Sequence, residues 1–514
     1  MISAEPAWEK IGKSHHHGFD LPLSSLKTKQ SCGIGEYLDL NLMIDFCKSV
    51  GFDTLMLLPL NDTGEDPSPY NALSASALHP IYLSLSSLPN LTPEFDERIN
   101  RLKKMNGEKR VPYLTILRKK DAFMRRYFEV YGAHFEEEVL QFSNEFPFLK
   151  IYALFKILKE NMEGQSSEEW PDEIKQLTKT HFQHLLQTHK ESIQYILFVQ
   201  YFCFKQLKKA KSYAEEKNIF LKGDIPILIS PDSADVWYHT EYFDLSFAAG
   251  APPDQFTPEG QYWGFPIYRF DVMNEEGFSW WKERLQYASH FYHIYRIDHV
   301  IGFFRIWAIP RGQEAAKGRF LPGNEWEALS QGRLVLKEIL KASHMLPIAE
   351  DLGFMPPGAS EILEELSISG TKVFRWEKDP KTGEYDSFQS YSPLSMSTVS
   401  THDSETLRQW WDTQNKEVVN FSKMKGWDPK SPLTKEMRLE ILRDIHHTSS
   451  FFHINLFNEY LALIDDFVYE DPDDERINIP GEILDRNWTY RMRPYLEEVA
   501  KDSNFVKQLK SLFK

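Results

Sequence analysis

Short apolar runs that stop at polar or acidic residues recur along this 514-residue chain, and that recurrence limits what it can fold into. Residues 54–59 (TLMLLP) lead into Asn61 and Asp62, and 219–222 into Gly223 and Asp224. Residues 293–297 lead into Asp298 and His299, and 346–349 into Glu350 and Asp351. Helical patterns lie between them. In one, Leu38, Leu42, Phe46 and Val50 fall four apart, Met43 and Cys47 widen the stripe, and Gly51 ends it. Strands alternating with helices indicate a parallel sheet with right-handed crossovers. A closed barrel carries its chemistry at the C-terminal strand ends, so strand after strand ending in a carboxylate predicts an α/β fold of the (β/α)8 TIM-barrel type. An open doubly wound sheet would show a Gly-rich phosphate loop after a strand, and no such loop is found.

Barrels with insertions reach this length as one unit, so residues 1–514 read as a single catalytic barrel. From 94 to 217 the pattern turns to long helices, with Ile193, Ile196, Leu197, Phe204 and Leu207 at helical spacing. This predicts a mainly helical insertion between barrel strands 2 and 3, with 103–109 and 163–172 as its exposed loops. Residues 245–275 read as an active-site loop insertion. Within it, 250–264 hold three Pro and three Gly in fifteen residues, which disfavours a long regular element and sets Tyr262 and Trp263 on a loop.

The formal charge is −16, from 59 basic and 75 acidic residues, which argues against nucleic acid as the partner because such binding needs cationic neutralisation of phosphates. Phe, Tyr and Trp number 36, 23 and 13, enough for a core and for flat faces in a sugar-binding cleft. Only Cys32, Cys47 and Cys203 are present, which excludes a disulfide framework and points to a reducing, cytoplasmic location. The N-terminus has no apolar run after a basic start, and no stretch nears eighteen apolar residues, so neither a signal peptide nor a membrane span is expected. The run His15, His16, His17 reads as a surface loop without a metal function.

Three segments offer chemistry. In a strand, residues two apart share a face, so Arg296 and Asp298 would both enter the barrel while Ile297 faces the helices. A cation there would lower the Asp298 pKa and keep it ionised, as a nucleophile requires; a structural ion pair accounts for the segment equally well. Glu350 ends an apolar strand beside Asp351, where burial and negative charge raise a pKa toward that of a general acid, with Asp351 read as a helix N-cap. Asp403 follows a β-prone run, and His402 offers a donor to sugar hydroxyls. Together three strand-end carboxylates fit glycoside chemistry. A dinuclear metal hydrolase using His299, His402 and the Asp residues ranks lower, because no metal-cluster motif accompanies them.

At these residues the chain resembles the amylomaltase (4-α-glucanotransferase, disproportionating enzyme) family of the α-amylase clan, nearly end to end. The blocks that carry the resemblance include Leu58-Pro-Leu-Asn-Asp-Thr63, Ser68-Pro-Tyr70, Gly223-Asp-Ile-Pro226, Gly250-Ala-Pro-Pro-Asp254 and Gly260-Gln-Tyr-Trp-Gly264. Arg296-Ile-Asp-His299, Ala349-Glu-Asp-Leu-Gly353, Thr401-His-Asp403, Arg476-Ile-Asn-Ile-Pro-Gly481 and Asn487-Trp488 complete them. The resemblance implies Asp298 as nucleophile, Glu350 as acid/base and Asp403 as transition-state stabiliser, with Arg296 orienting Asp298. It implies that Asp224, His299 and His402 line the subsite of the cleaved sugar and that Tyr70 and Trp263 stack on glucose units. Asn478 and Pro480 match the C-terminal motif that closes the barrel. It further implies α-1,4-glucan substrates, no cofactor and no metal, and leaves oligomeric state open, including self-association through the helical insertion. Where the family often has Phe-Arg before Gly, this chain has Val300-Ile301-Gly302, a change expected in subsite contacts. The barrel is expected to start by about Gly18, without the extra N-terminal domains of longer members.

Overall fold

The computed structural model describes residues 2–253, 257–379 and 381–513, so Asp254, Gln255 and Phe256 of the 250–264 segment lie outside the described residues. Eight parallel strands form the centre: β1 (His16–Leu21), β2 (Thr54–Leu57), β3 (Phe220–Ile225), β4 (Ile294–Ile297), β5 (Leu346–Ala349), β6 (Gly370–Val373), β7 (Ser395–Thr398) and β8 (Phe452–Leu456). Their order in space follows their order in the chain, with β1 pairing both β2 and β8. Among the described residues, β5 and the start of β6 are joined by one parallel bridge, Ile348 to Ser369, and it closes the barrel. All residues of β2, β5, β7 and β8 are buried, which is why β2 and β5 read as unbroken apolar runs rather than alternating ones; β7 and β8 are buried with Ser, Thr, His and Asn among their residues.

Met56, Ile294, Leu346, Ile348, Met396, Phe452 and Ile454 fill the lower barrel, and Trp8 of helix Glu5–Ile11 packs onto them as a plug. Outside, the helices bury a second, larger cluster against the sheet. In helix Leu40–Val50 the buried face is centred on Met43, Ile44 and Cys47, and Leu38 and Leu42 are only half-buried. Gly51, with φ 87°, ends it in the left-handed region.

Between β2 and β3 run helices Pro93–Lys103, Tyr113–Tyr131, Glu136–Glu145, Phe148–Asn161, Lys179–Thr188 and Lys190–Lys217, with one short four-residue turn of helix. The two expected exposed loops here contain anchors. Asn106 is buried and accepts from Gly33 N–H at 3.0 Å, and Trp170 is also buried. Buried polar groups tie these helices to the loop after β2. Gln200 bonds both the N–H (2.9 Å) and the carbonyl (2.7 Å) of Leu78. Asp62 takes Lys156 Nζ at 2.7 Å and the Tyr152 hydroxyl. Those contacts hold Asp62 well below the usual carboxylate range even though burial opposes ionisation.

Three local expectations are corrected. His16 and His17 belong to β1, His16 is buried, and only His15 is exposed, because the strand begins inside the run. Asp351 caps no helix; its Oδ1 accepts from Thr371 N–H at 2.8 Å, linking β5 to β6. Tyr262 sits in a two-residue strand of a four-stranded antiparallel sheet that also contains Phe247–Ala251, Ile306–Pro310 and Arg319–Leu321. Gly250 permits that pairing, since a Cβ there would lie 2.1 Å from the Gln261 carbonyl oxygen. Among the described residues no helix is long and apolar enough to cross a membrane.

Candidate active site

The register places Asp224 of β3 beside Arg296 of β4, and Arg296 beside Ile348 of β5. Arg296 points inward, and its Nη1 lies 2.9 and 2.8 Å from the two Asp224 oxygens and 2.8 Å from Asp298 Oδ1. Its Nη2 is 3.8 Å from Glu350 Oε2. One guanidinium therefore joins three carboxyls from three neighbouring strands. Burial, with Asp224 and Glu350 nearby, raises Asp298 to about 6 against the pull of Arg296. This corrects the expectation that Arg296 would hold it low; the carboxylate is still mainly ionised at neutral pH.

Glu350 directly follows β5. Its Oε2 accepts from His299 N–H at 2.8 Å and its Oε1 from Leu352 N–H at 3.0 Å. His299 reaches this position with φ 47°, a left-handed conformation that a non-glycine residue adopts at some cost. Burial nevertheless raises the Glu350 pKa above its ordinary value, with Asp351 adding to the rise.

Asp403 lies in a turn five residues beyond β7. Its Oδ1 accepts from Asn478 Nδ2 at 2.7 Å, its Oδ2 is 3.3 Å from His402 Nε2, and its carbonyl accepts from Arg476 at 2.9 Å. Burial disfavours its charge, but His402, Asn478 and Arg296 outweigh burial and hold the carboxyl at about 2. Its side chain is 47% accessible, so protein surrounds it while one side stays open to the cleft. The Tyr70 hydroxyl bonds Asp224 Oδ2 (2.7 Å) and lies 3.0 Å from His402 Nε2, and the two rings stack at 5.3 Å. Trp263 meets His299 edge-on at 5.0 Å.

Asp224, Arg296, Asp298, His299, Glu350, His402, Asp403, Tyr70, Trp263 and Asn478 are thus joined by direct contacts. Pro480 is exposed in the turn two residues beyond Asn478. Asp224 is buried with both oxygens occupied by Arg296 and Tyr70, a position from which it orients its neighbours. Sequence reasoning missed Asp20 and Lys222, charged groups on the barrel floor. Burial raises Asp20 to about 6 and lowers Lys222 to about 7. Lys222 stands two residues before Asp224, a period-2 signal that could have found it. Trp488 was noted only within a motif; it packs on Tyr70 at 5.6 Å and His402 at 5.7 Å. A cavity of about 740 Å³ opens behind the Tyr70 loop, between Asp62 and Tyr195, and away from the carboxylates. The chemistry is located by the acids, not by that volume.

A closed parallel barrel whose C-terminal rim carries carboxyls in contrasting environments defines an enzyme class, barrel enzymes of glycosidic-bond chemistry. Within that class the chain belongs to the 4-alpha-glucanotransferase family, whose sequence model matches residues 21–497. It is 44% identical to a 4-alpha-glucanotransferase of Chlamydia pneumoniae over 97% of this chain and 95% of that protein. It is 41% identical to one of Chlamydia muridarum over 98% and 96%. An amylomaltase from Streptococcus agalactiae, solved with acarbose, superposes with a TM-score of 0.82 at 26% identity, covering 97% of this chain and 98% of that one.

Proposed function

We propose that this protein transfers α-1,4-glucan segments from a donor maltooligosaccharide to the 4-hydroxyl of an acceptor glucan or glucose, by double displacement. Asp298 attacks the anomeric carbon as the bond to the leaving oxygen breaks, and Glu350 gives that oxygen its proton. The reducing-end fragment departs, leaving a covalent glucosyl-enzyme on Asp298. Glu350, now a base, takes the proton of an incoming 4-hydroxyl as its oxygen displaces Asp298, so configuration is retained. Asp403, ionised at the open side of the cleft, stabilises the positive charge that develops on the sugar and holds ring hydroxyls.

The observation that carries this reading is the contrast among the three acids. Asp298 and Glu350 are raised and share a guanidinium, whereas Asp403 is held at about 2. Two carboxyls held by one guanidinium suit a nucleophile and an acid that act on the same bond. Tyr70, His299, His402, Trp263 and Asn478 shape the subsites around the bond. The three cysteines are buried and free, which supports a cytoplasmic location.

Incubation with maltotriose alone tests the activity. Transfer gives glucose and a ladder of longer maltooligosaccharides at constant total reducing ends. A steady rise in reducing ends would instead make the protein a hydrolase.

A further inference from the structure

At the opposite, N-terminal end of the barrel, three imidazoles from distant parts of the chain converge. His17 of β1 and His453 of β8 are direct partners in the parallel register, and their rings stack at 4.9 Å. His446, the last residue of helix Lys435–His446, brings its Nδ1 to 2.8 Å from Nδ1 of His17. One ligand atom from each ring lies within 4.8 Å of those from the other two. His446 and His453 are buried and His17 is partly so.

Hydrogen bonding fixes which nitrogens are free. His453 Nε2 faces the Thr448 carbonyl at 3.3 Å, an acceptor only, so Nε2 carries the proton and Nδ1 is a lone pair. That buried Nδ1 has no hydrogen-bond partner. His446 Nε2 is 2.8 Å from the Tyr460 hydroxyl, which itself points at the Gly18 carbonyl, so His446 also donates from Nε2 and presents Nδ1. Two imidazoles with their outer N–H groups tied to oxygen acceptors, in a cluster where one nitrogen of each ring lies within 4.8 Å of the others, have the outer arrangement typical of metal-ligating histidines. A lone pair buried without a donor is costly unless something binds it.

We propose that His17, His446 and His453 form a structural site for an imidazole-preferring divalent transition metal of the zinc, nickel or cobalt type, with water as the remaining ligand. A three-imidazole, carboxylate-free donor set selects these ions over magnesium or calcium. The ion would pin β1 to β8 and to the helix between β7 and β8. It would also pack beneath Phe513, whose ring stacks on His17 at 4.8 Å. On binding, the proton between the His17 and His446 Nδ1 atoms moves to Nε2 of His17, so that three neutral imidazoles ligate.

The test uses the full-length, tag-free protein, stripped with chelator and desalted, then given Zn2+, Ni2+ or Co2+ alone. Bound metal is counted by elemental mass spectrometry, and Tm is recorded. The expected result is one tightly held equivalent of at least one ion, with a Tm that rises until that equivalent is filled. In H453Q and H446N both the stoichiometric metal and the Tm rise are lost, while maltotriose turnover and far-UV circular dichroism show the barrel intact. H15A, which removes the exposed neighbour, retains both. Cobalt gives ligand-field absorption bands in the parent that are absent in H453Q, a readout independent of stability. Substoichiometric metal for all three ions overturns the proposal, and so does metal lost with H15A but retained by H453Q.

Discussion

At Glu350, two backbone N–H groups and a nearby guanidinium oppose burial, and burial prevails. In the proposed mechanism this rise favours the protonated form, which gives its proton to the leaving oxygen. Glu350→Gln removes that proton. Its kcat on maltotriose should fall by about 10²–10⁴-fold, the range for loss of a general acid, and recover in the first step with a maltosyl fluoride donor that needs no protonation. The same residue makes a stability prediction. A carboxyl whose folded pKa lies above its unfolded value binds more protons in the native state, so its contribution to stability declines as pH rises through that interval. Glu350→Gln should therefore melt above the parent at pH 7, and the gain should vanish in acid, where both states are protonated. A variant less stable than the parent at pH 7 would show that its two backbone contacts outweigh the burial of its charge.

The helices between β2 and β3 act on the site through the loop that carries Tyr70. Lys156, on helix Phe148–Asn161, supplies the charge that Asp62 requires, and the Asp62 side chain is 1% exposed. Lys156→Met leaves a buried carboxylate without its cation, though still hydrogen-bonded by Tyr152 and Gly64 N–H; because Lys156 is itself 22% exposed, the cost should be near the low end for a broken buried pair, about 3 kcal/mol by urea denaturation. KM should rise more than kcat falls, because Tyr70 is displaced rather than the acids. On the other side, the small antiparallel sheet presents Trp263 to His299, while Tyr262 is 47% exposed. If these aromatic faces favour a sugar acceptor over water, truncating both to Ala should raise the ratio of hydrolysis to transfer, measured as reducing ends per maltotriose consumed. An unchanged ratio would remove this sheet from the account. The sheet itself was not legible, since Phe247–Ala251 pairs with Ile306–Pro310, about sixty residues later, and another of its strands is two residues long.

Across the whole molecule, what the sequence disclosed was whatever a local pattern encodes. Buried strands such as β2 and β5 appear as apolar runs, and Asp298 and Glu350 follow β4 and β5 directly, so both were visible as run-ending acids. Asp403 was less visible from pattern alone because its turn stands off β7, and Asn478 and Arg476 hold it from a segment more than seventy residues later. Groups whose meaning depends on distant partners stayed hidden: Lys156 with Asp62, Lys222 with Asp20, and His17 with His446, 429 residues away. The direction of the Asp298 shift was misjudged for the same reason, since burial, with carboxyls contributed from β3 and from the end of β5, outweighs the adjacent Arg296. The central claim is that the transferred glucan passes through a covalent bond to Asp298. Incubating Glu350→Gln with α-maltotriosyl fluoride should trap that species, because the first step no longer needs an acid and the second lacks its base. Mass spectrometry of the digested protein should then find a maltotriosyl adduct on the peptide containing Asp298. Fluoride release with no adduct, or an adduct on any other residue, would contradict the account.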